Sequence, residues 1–149
     1  MILDSRNNGG GPHIIPGFPK LKLWADALKK LEKEREGLYR VRLDQAFEKY
    51  FVPFDSAENG PVPVRSVFIL DKTNTDQFEI VSLKGGDKID PIINNTYRPR
   101  FLEGLGGKKE HFRQCAAVAG RAAVMRITRP RKGFRLDELM DLLGRNWGA

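Results

Sequence analysis

A single cysteine, two histidines and no apolar run of membrane-spanning length set the first limits on this 149-residue sequence. Cys115 alone cannot close an internal disulfide, which agrees with a reducing compartment. His13 and His111 are too few for a histidine-built metal centre; His111 and Cys115 stand i,i+4, but two ligands do not make a site. No hydrophobic stretch approaches the roughly 18 residues a membrane helix needs. The start, "MILDSRNNGGG", lacks the basic, apolar and small-residue regions of a signal peptide, so a cytoplasmic protein is expected. No Gly-x-x-x-x-Gly-Lys-Ser/Thr spacing occurs, which excludes a nucleotide P-loop within this sequence. No internal repeat is visible.

What is present is charge. The net charge is +7, with 30% charged and 40% hydrophobic residues, the balance of one globular domain. Anionic partners are attracted by that excess, and its sign alone selects none of them. Arg121, Arg126, Arg129, Arg131, Lys132 and Arg135 meet no acidic residue until Asp137. Two glycine clusters invite a phosphate reading. "GLGGKKEH" opens a helix beside Lys108 and Lys109, but no Ser or Thr follows to hold a magnesium ion, so it reads as a helix-opening turn. "KGGDK" reads as a turn with Asp87 as a cap. Cys115 lies among alanines with nothing to lower its pKa, and is expected to be a small buried hydrophobe. Asp71 and Asp76 flank a loop, while Asp137, Glu138 and Asp141 complement a helix dipole, so no acid–base pair is expected.

Periodicity and breakers place the elements. A Gly- and Asn-rich flexible segment is expected over 1–12, and a strand stub at "HII". Pro16 and Pro19 forbid helix before Lys20. Leu21, Trp24, Leu28 and Leu31 then predict a helix over 21–35, stopped by Gly37, with Trp24 packed into the core. "LYRVRLD" and "KYFVPF" read as extended pieces around the turn cluster "DSAENGP". "VPVRSVFILD" and "QFEIVSL" predict an antiparallel hairpin across "KTNTD". Ile89, Ile92, Ile93 and Tyr97 predict a helix ending at Arg98, followed by a short turn of helix and a longer helix with a stripe of Phe112, Cys115, Ala116 and Ala119. "AVMRITR" is a strand, "PRKGFR" a basic connection, and "LDELMDLLGRN" a last helix, with Trp147 packing as a tail.

Certain of these pieces carry a resemblance. "PGFPKLKLWADAL", "VPVRSVFIL", "YRPRFLEGLG", "EHFRQCAAVAGRAAVMRITRPR" and "LDELMDLL", in this order and spacing, resemble the C-terminal half of HPr kinase-like proteins, relatives of HPr kinase/phosphorylase and of the phosphoenolpyruvate carboxykinase-type P-loop fold. The likeness runs over about 9–143. It implies a mixed α/β fold of short strands packed by about four helices, forming a single domain over 13–149. In that family the P-loop and an acidic strand end precede the proline turn. Neither is in this sequence, and Asp4 matches no catalytic position.

Phosphoryl transfer depends on holding phosphates and metal, so the expectation is a noncatalytic module that binds a protein or ligand, with no catalytic residue, no metal ligand and no cofactor. One alternative is a kinase half-subunit completed in trans by a P-loop chain. Another is a nucleic-acid or anionic-ligand binder using the basic strip, which an aromatic-studded basic face would favour. The candidate anion-binding residues are Arg98, Arg100, Lys108, Lys109, Arg129, Arg131, Lys132 and Arg135. A homodimer is expected to cover an unpaired sheet edge, pairing through "HII" or the N-terminal arm. A protein partner is the next expectation, nucleic acid is less favoured, and no membrane is involved.

Overall fold

The computed structural model describes residues 2–4 (backbone only), 11–44, 46–55, 60–96 and 99–147. In chain order the elements are β1 (Ile2–Asp4), β2 (His13–Ile15), β3 (Lys20–Trp24), α1 (Ala25–Lys30), β4 (Lys49–Pro53), β5 (Val62–Pro63), β6 (Ser66–Thr73), β7 (Glu79–Ser82), a 3-10 turn (Gly85–Lys88), α2 (Ile89–Asn94), α3 (Arg100–Gly104), α4 (Lys108–Arg121), β8 (Ala123–Pro130) and α5 (Leu136–Arg145). The class is mixed α/β, with three small sheets among the described residues. The chain divides into two compact units, one formed by Met1–Ile15 with Pro61–Ala149 and the other by Pro16–Gly60.

In the first unit β8 is the middle strand. Val124, Met125 and Ile127 of its "AVMRI" run are buried. Such a run suits a strand paired on both edges. β6 pairs with it in parallel from Ser66–Ala123 to Thr73–Pro130, and β7 pairs antiparallel on the other side. The hairpin expected between β6 and β7 therefore does not form, because β8 inserts between them. The connection from Thr73 to Glu79 has only to cross two strand spacings, about 10 Å, well within its reach.

α4 buries Cys115, Val118 and Ala119, and Ala122, the extended residue that follows it, is buried too. The stripe is rotated from the expected one. Phe112 is half exposed, and His111 takes the equivalent place one turn before Cys115. α2 stops at Asn94 rather than Arg98, because the Asn95 side-chain amide donates to the Pro91 carbonyl at 2.8 Å and ends the helix. Tyr97 and Arg98 lie outside the described residues. Asp87 sits inside the 3-10 turn, and no side-chain hydrogen bond caps that turn or α2. Trp147 is 74% exposed rather than packed, since α5 ends before it.

A third sheet, also in this unit, joins β1, β2 and β5. β2 is its middle strand, held by β1 on one edge and β5 on the other, so "HII" has no free edge for a second copy. Residues 5–10 of the expected flexible segment lie outside the described residues.

In the second unit the predicted helix over 21–35 divides. Lys20–Trp24 alternates polar and apolar residues and pairs antiparallel with β4, from Lys20–Pro53 to Trp24–Lys49. Helix begins only at Ala25, after Trp24 in extended geometry (φ −73°, ψ 156°). It ends at Lys30, well before Gly37, because Glu32 adopts φ 53° and the Lys33 N–H closes on the Leu28 carbonyl at 3.0 Å. Leu28, Tyr50 and Val52 form the core of this unit, with Leu23, Ala25 and Leu38 packed around them. "LYRVRLD" contributes a single bridge, Arg40 to Tyr50. Trp24 is half exposed at the end of a strand and meets Phe47 in a tilted contact, with ring centroids 4.8 Å apart and planes at 57°. Much of the turn expected at "DSAENGP" falls on 56–59, outside the described residues.

Candidate functional site

The β8–α5 junction builds a cleft from local chemistry. Pro130 ends the strand, Gly133 turns the basic connection at φ 84°, and α5 returns with an apolar stripe. Leu70, Phe78, Phe134, Leu136 and Leu139 line a cavity of about 190 Å³, with Arg129, Lys132 and Arg135 among its walls. Three of the eight candidate anion-binding residues therefore converge here.

Their roles differ. The Arg135 guanidinium donates to both carboxylate oxygens of Glu138 and, at 2.5 Å, to the Asp76 carbonyl. It also lies over the Phe78 ring, 5.3 Å from the centroid. Glu138 is held below the usual carboxylate range by the hydrogen bond from Arg135, and that bond raises the Arg135 pKa in turn. Arg135 is thus a fixed wall whose charge is matched. Arg129 donates to the Pro130 carbonyl at 3.2 Å, and Lys132 has no ion pair among the described residues. Arg129 and Lys132 are the two cations of the cleft that no carboxylate matches among the described residues.

The other candidates lie elsewhere. Arg131 is exposed and anchors the chain through its N–H to the Thr73 carbonyl at 2.9 Å. Arg100 lies over Phe101 at 5.4 Å. Lys108 pairs with Glu103 at 2.6 Å and holds that carboxyl below its ordinary pKa by the same hydrogen bond, while Lys109 is exposed beside it. The Gly-rich turn before α4 has Gly106 at φ 65°, and the Gly107 carbonyl accepts the first helical N–H, from His111, at 2.9 Å. Arg98 is outside the described residues.

Two further clusters carry polar chemistry. His111 Nε2 lies 2.7 Å from Thr96 Oγ1 and 3.4 Å from Cys115 Sγ, tying the end of α2 to α4. Burial pushes the Cys115 thiol pKa up, the opposite of what a thiolate nucleophile requires. A second cleft, about 450 Å³, is lined by Asp71, Asp87, Asp90, Asn94, Asn95 and Arg126, with Arg126 and Asp71 paired at 3.4 Å. No group of three or more His, Cys, Asp or Glu among the described residues is placed to hold a metal ion. No described helix is long and apolar enough to cross a membrane.

The sequence pointed to the basic strip, but the rings that complete the cleft were not recognisable as partners. Phe78 and Leu70 come from distant segments, and only the β6–β8–β7 order brings them to Phe134. No protein-family model matches the chain, and neither a curated protein nor a solved structure matches it.

Proposed function

We propose that the chain is a noncatalytic binding module with an HPr kinase-like fold, and that the β8–α5 cleft takes a small organic anion with an apolar body. The ordered motifs from "PGFPKLKLWADAL" to "LDELMDLL" support the fold. One observation carries the ligand: Arg129 and Lys132 flank an apolar floor of Leu70, Phe78, Phe134 and Leu136, while the Glu138 carboxylate is matched by Arg135. A phosphate or carboxylate meets the two cations, and an aryl or branched alkyl body meets the floor. The volume of about 190 Å³ limits the ligand to one small ring. Phosphoryl transfer is no part of this reading, because it needs a P-loop and metal held in place.

Titration of the full chain with phenyl phosphate, followed by amide NMR shifts, tests the ligand. Shifts should saturate at Lys132, Gly133 and Leu136, and Lys132→Ala should weaken binding severalfold. Shifts that never saturate, or that centre elsewhere, refute it. Calorimetry with Mg-ATP tests the noncatalytic reading, which a saturable one-to-one heat would overturn. Self-association of this module would use β6, whose outer edge is unpaired among the described residues.

A further inference from the structure

The outer face of the β3–β4 ribbon sets cations beside aromatic rings, and neither strand contains a carboxylate. Directly opposed residues of paired strands share a face. The register sets Lys20 against Pro53, Lys22 against Phe51, and Trp24 against Lys49, and leaves Leu23, Tyr50 and Val52 on the inner side near Leu28. A third extended piece joins the far edge of β4: the Phe51 N–H donates to the Tyr39 carbonyl at 2.9 Å and the Val41 N–H to the Lys49 carbonyl at 2.8 Å. Since Arg40 bridges the inward residue Tyr50, its neighbour Tyr39 falls on the outer face, 81% exposed.

The rings and cations are already in register with one another. Lys22 lies over Phe51 at 5.4 Å, Lys49 over Trp24 at 5.1 Å, and Arg42 over Phe47 at 4.6 Å, with the Phe47 ring tilted against Trp24. Glu48, next to Lys49 in the chain, is drawn away to Arg35 at 3.7 Å. A face that served solubility alone would mix both signs of charge. This one leaves Trp24 45% exposed among cations of a single sign.

We propose that this face is a stacking platform for single-stranded nucleic acid. Bases lie on Trp24, Phe51 and Tyr39, and phosphates follow Lys20, Lys22, Lys49 and Arg42. The cations now over the rings move to the phosphates as bases take their place. A duplex hides its base faces and would engage the cations only, so the exposed rings select a single strand. From Lys20 to Trp24 the strand extends about 13 Å, so the tract is short, at the low end of the roughly 4–16 nucleotides that single-strand-binding folds cover. This surface belongs to the Pro16–Gly60 unit and does not depend on the cleft assigned above.

Fluorescence anisotropy of the full chain with a labelled oligothymidylate tests the proposal. Binding should saturate, and log affinity should fall with log salt at a slope near −3, as four cations at about 0.7 each require. Trp24→Ala, and the pair Lys20→Gln with Lys22→Gln, should each weaken binding about tenfold at unchanged circular dichroism. Arg131→Gln with Lys132→Gln, in the other unit, should change it by less than about twofold. Should Trp24→Ala fail to fold, the exposed lysine pair decides alone. The proposal is overturned if a duplex of equal length binds as tightly as the single strand. It is also overturned if phosphatidylserine vesicles bind in preference to the oligonucleotide, or if the lysine pair leaves affinity unchanged.

Discussion

Leu28→Ala tests whether the Pro16–Gly60 unit is held by one small core. Leu28 is 0% exposed, and only Tyr50 and Val52 are buried beside it in the cluster, with Leu23, Ala25 and Leu38 partly covered at its margin. Truncating a buried leucine to alanine destabilises by about 2–5 kcal/mol, more where the cavity stays open. Half-buried Leu23 and Leu38 can collapse into the space, which places the effect at about 3 kcal/mol. In so short a unit that is a large share of the total stability. At tenfold per 1.4 kcal/mol it raises the opening equilibrium about a hundredfold. Hydrogen exchange read by mass spectrometry resolves this by segment. Protection of β3 and β4 should fall by about that factor, while protection of β6 and β8, which belong to the other unit, should change by less than about twofold. Leu28→Met, which conserves volume, should restore most of the loss. Equal loss in both units would refute the division, and no loss anywhere would refute the core.

Three other outcomes are expected. Cys115 is buried and its thiol pKa is raised by that burial, so a disulfide reagent should label it slowly in the native chain and fast in denaturant; equal rates would show that the α4 stripe is exposed. Glu138 is held below the ordinary carboxylate range by Arg135, so its contribution to stability is present above that range and is lost as pH falls through its folded value. Glu138→Gln should therefore flatten the acid limb of a melting-temperature titration, and by releasing Arg135 should strengthen phenyl phosphate binding severalfold; an unchanged limb refutes the clamp. The outer edge of β6 spans eight residues with no proline inside, so light scattering should show concentration-dependent dimers, and a mass held at 16.9 kDa on concentration would refute edge pairing.

Much of the fold was legible where one pattern dominated. Leu136, Leu139, Met140 and Leu143 at helical spacing define α5, and the glycines before Lys108 and the apolar "AVMRI" define α4 and β8. The proposed cleft was legible in part, since the run from Arg129 to Arg135 carries its cations. Two patterns overlapped at 20–31, where Leu21, Trp24, Leu28 and Leu31 suit a helix and Lys20-Leu21-Lys22-Leu23 suits a strand. Local propensity cannot choose between them, and pairing with β4 did. The same dependence on distant partners decided that β8 separates β6 from β7, because the strand that buries most when paired on both edges takes the middle place. Lys20, Lys22, Trp24, Lys49 and Phe51 read in sequence as unrelated surface residues. They become one basic, aromatic face only through strand register, which hydrogen bonds between distant segments set and no local pattern encodes.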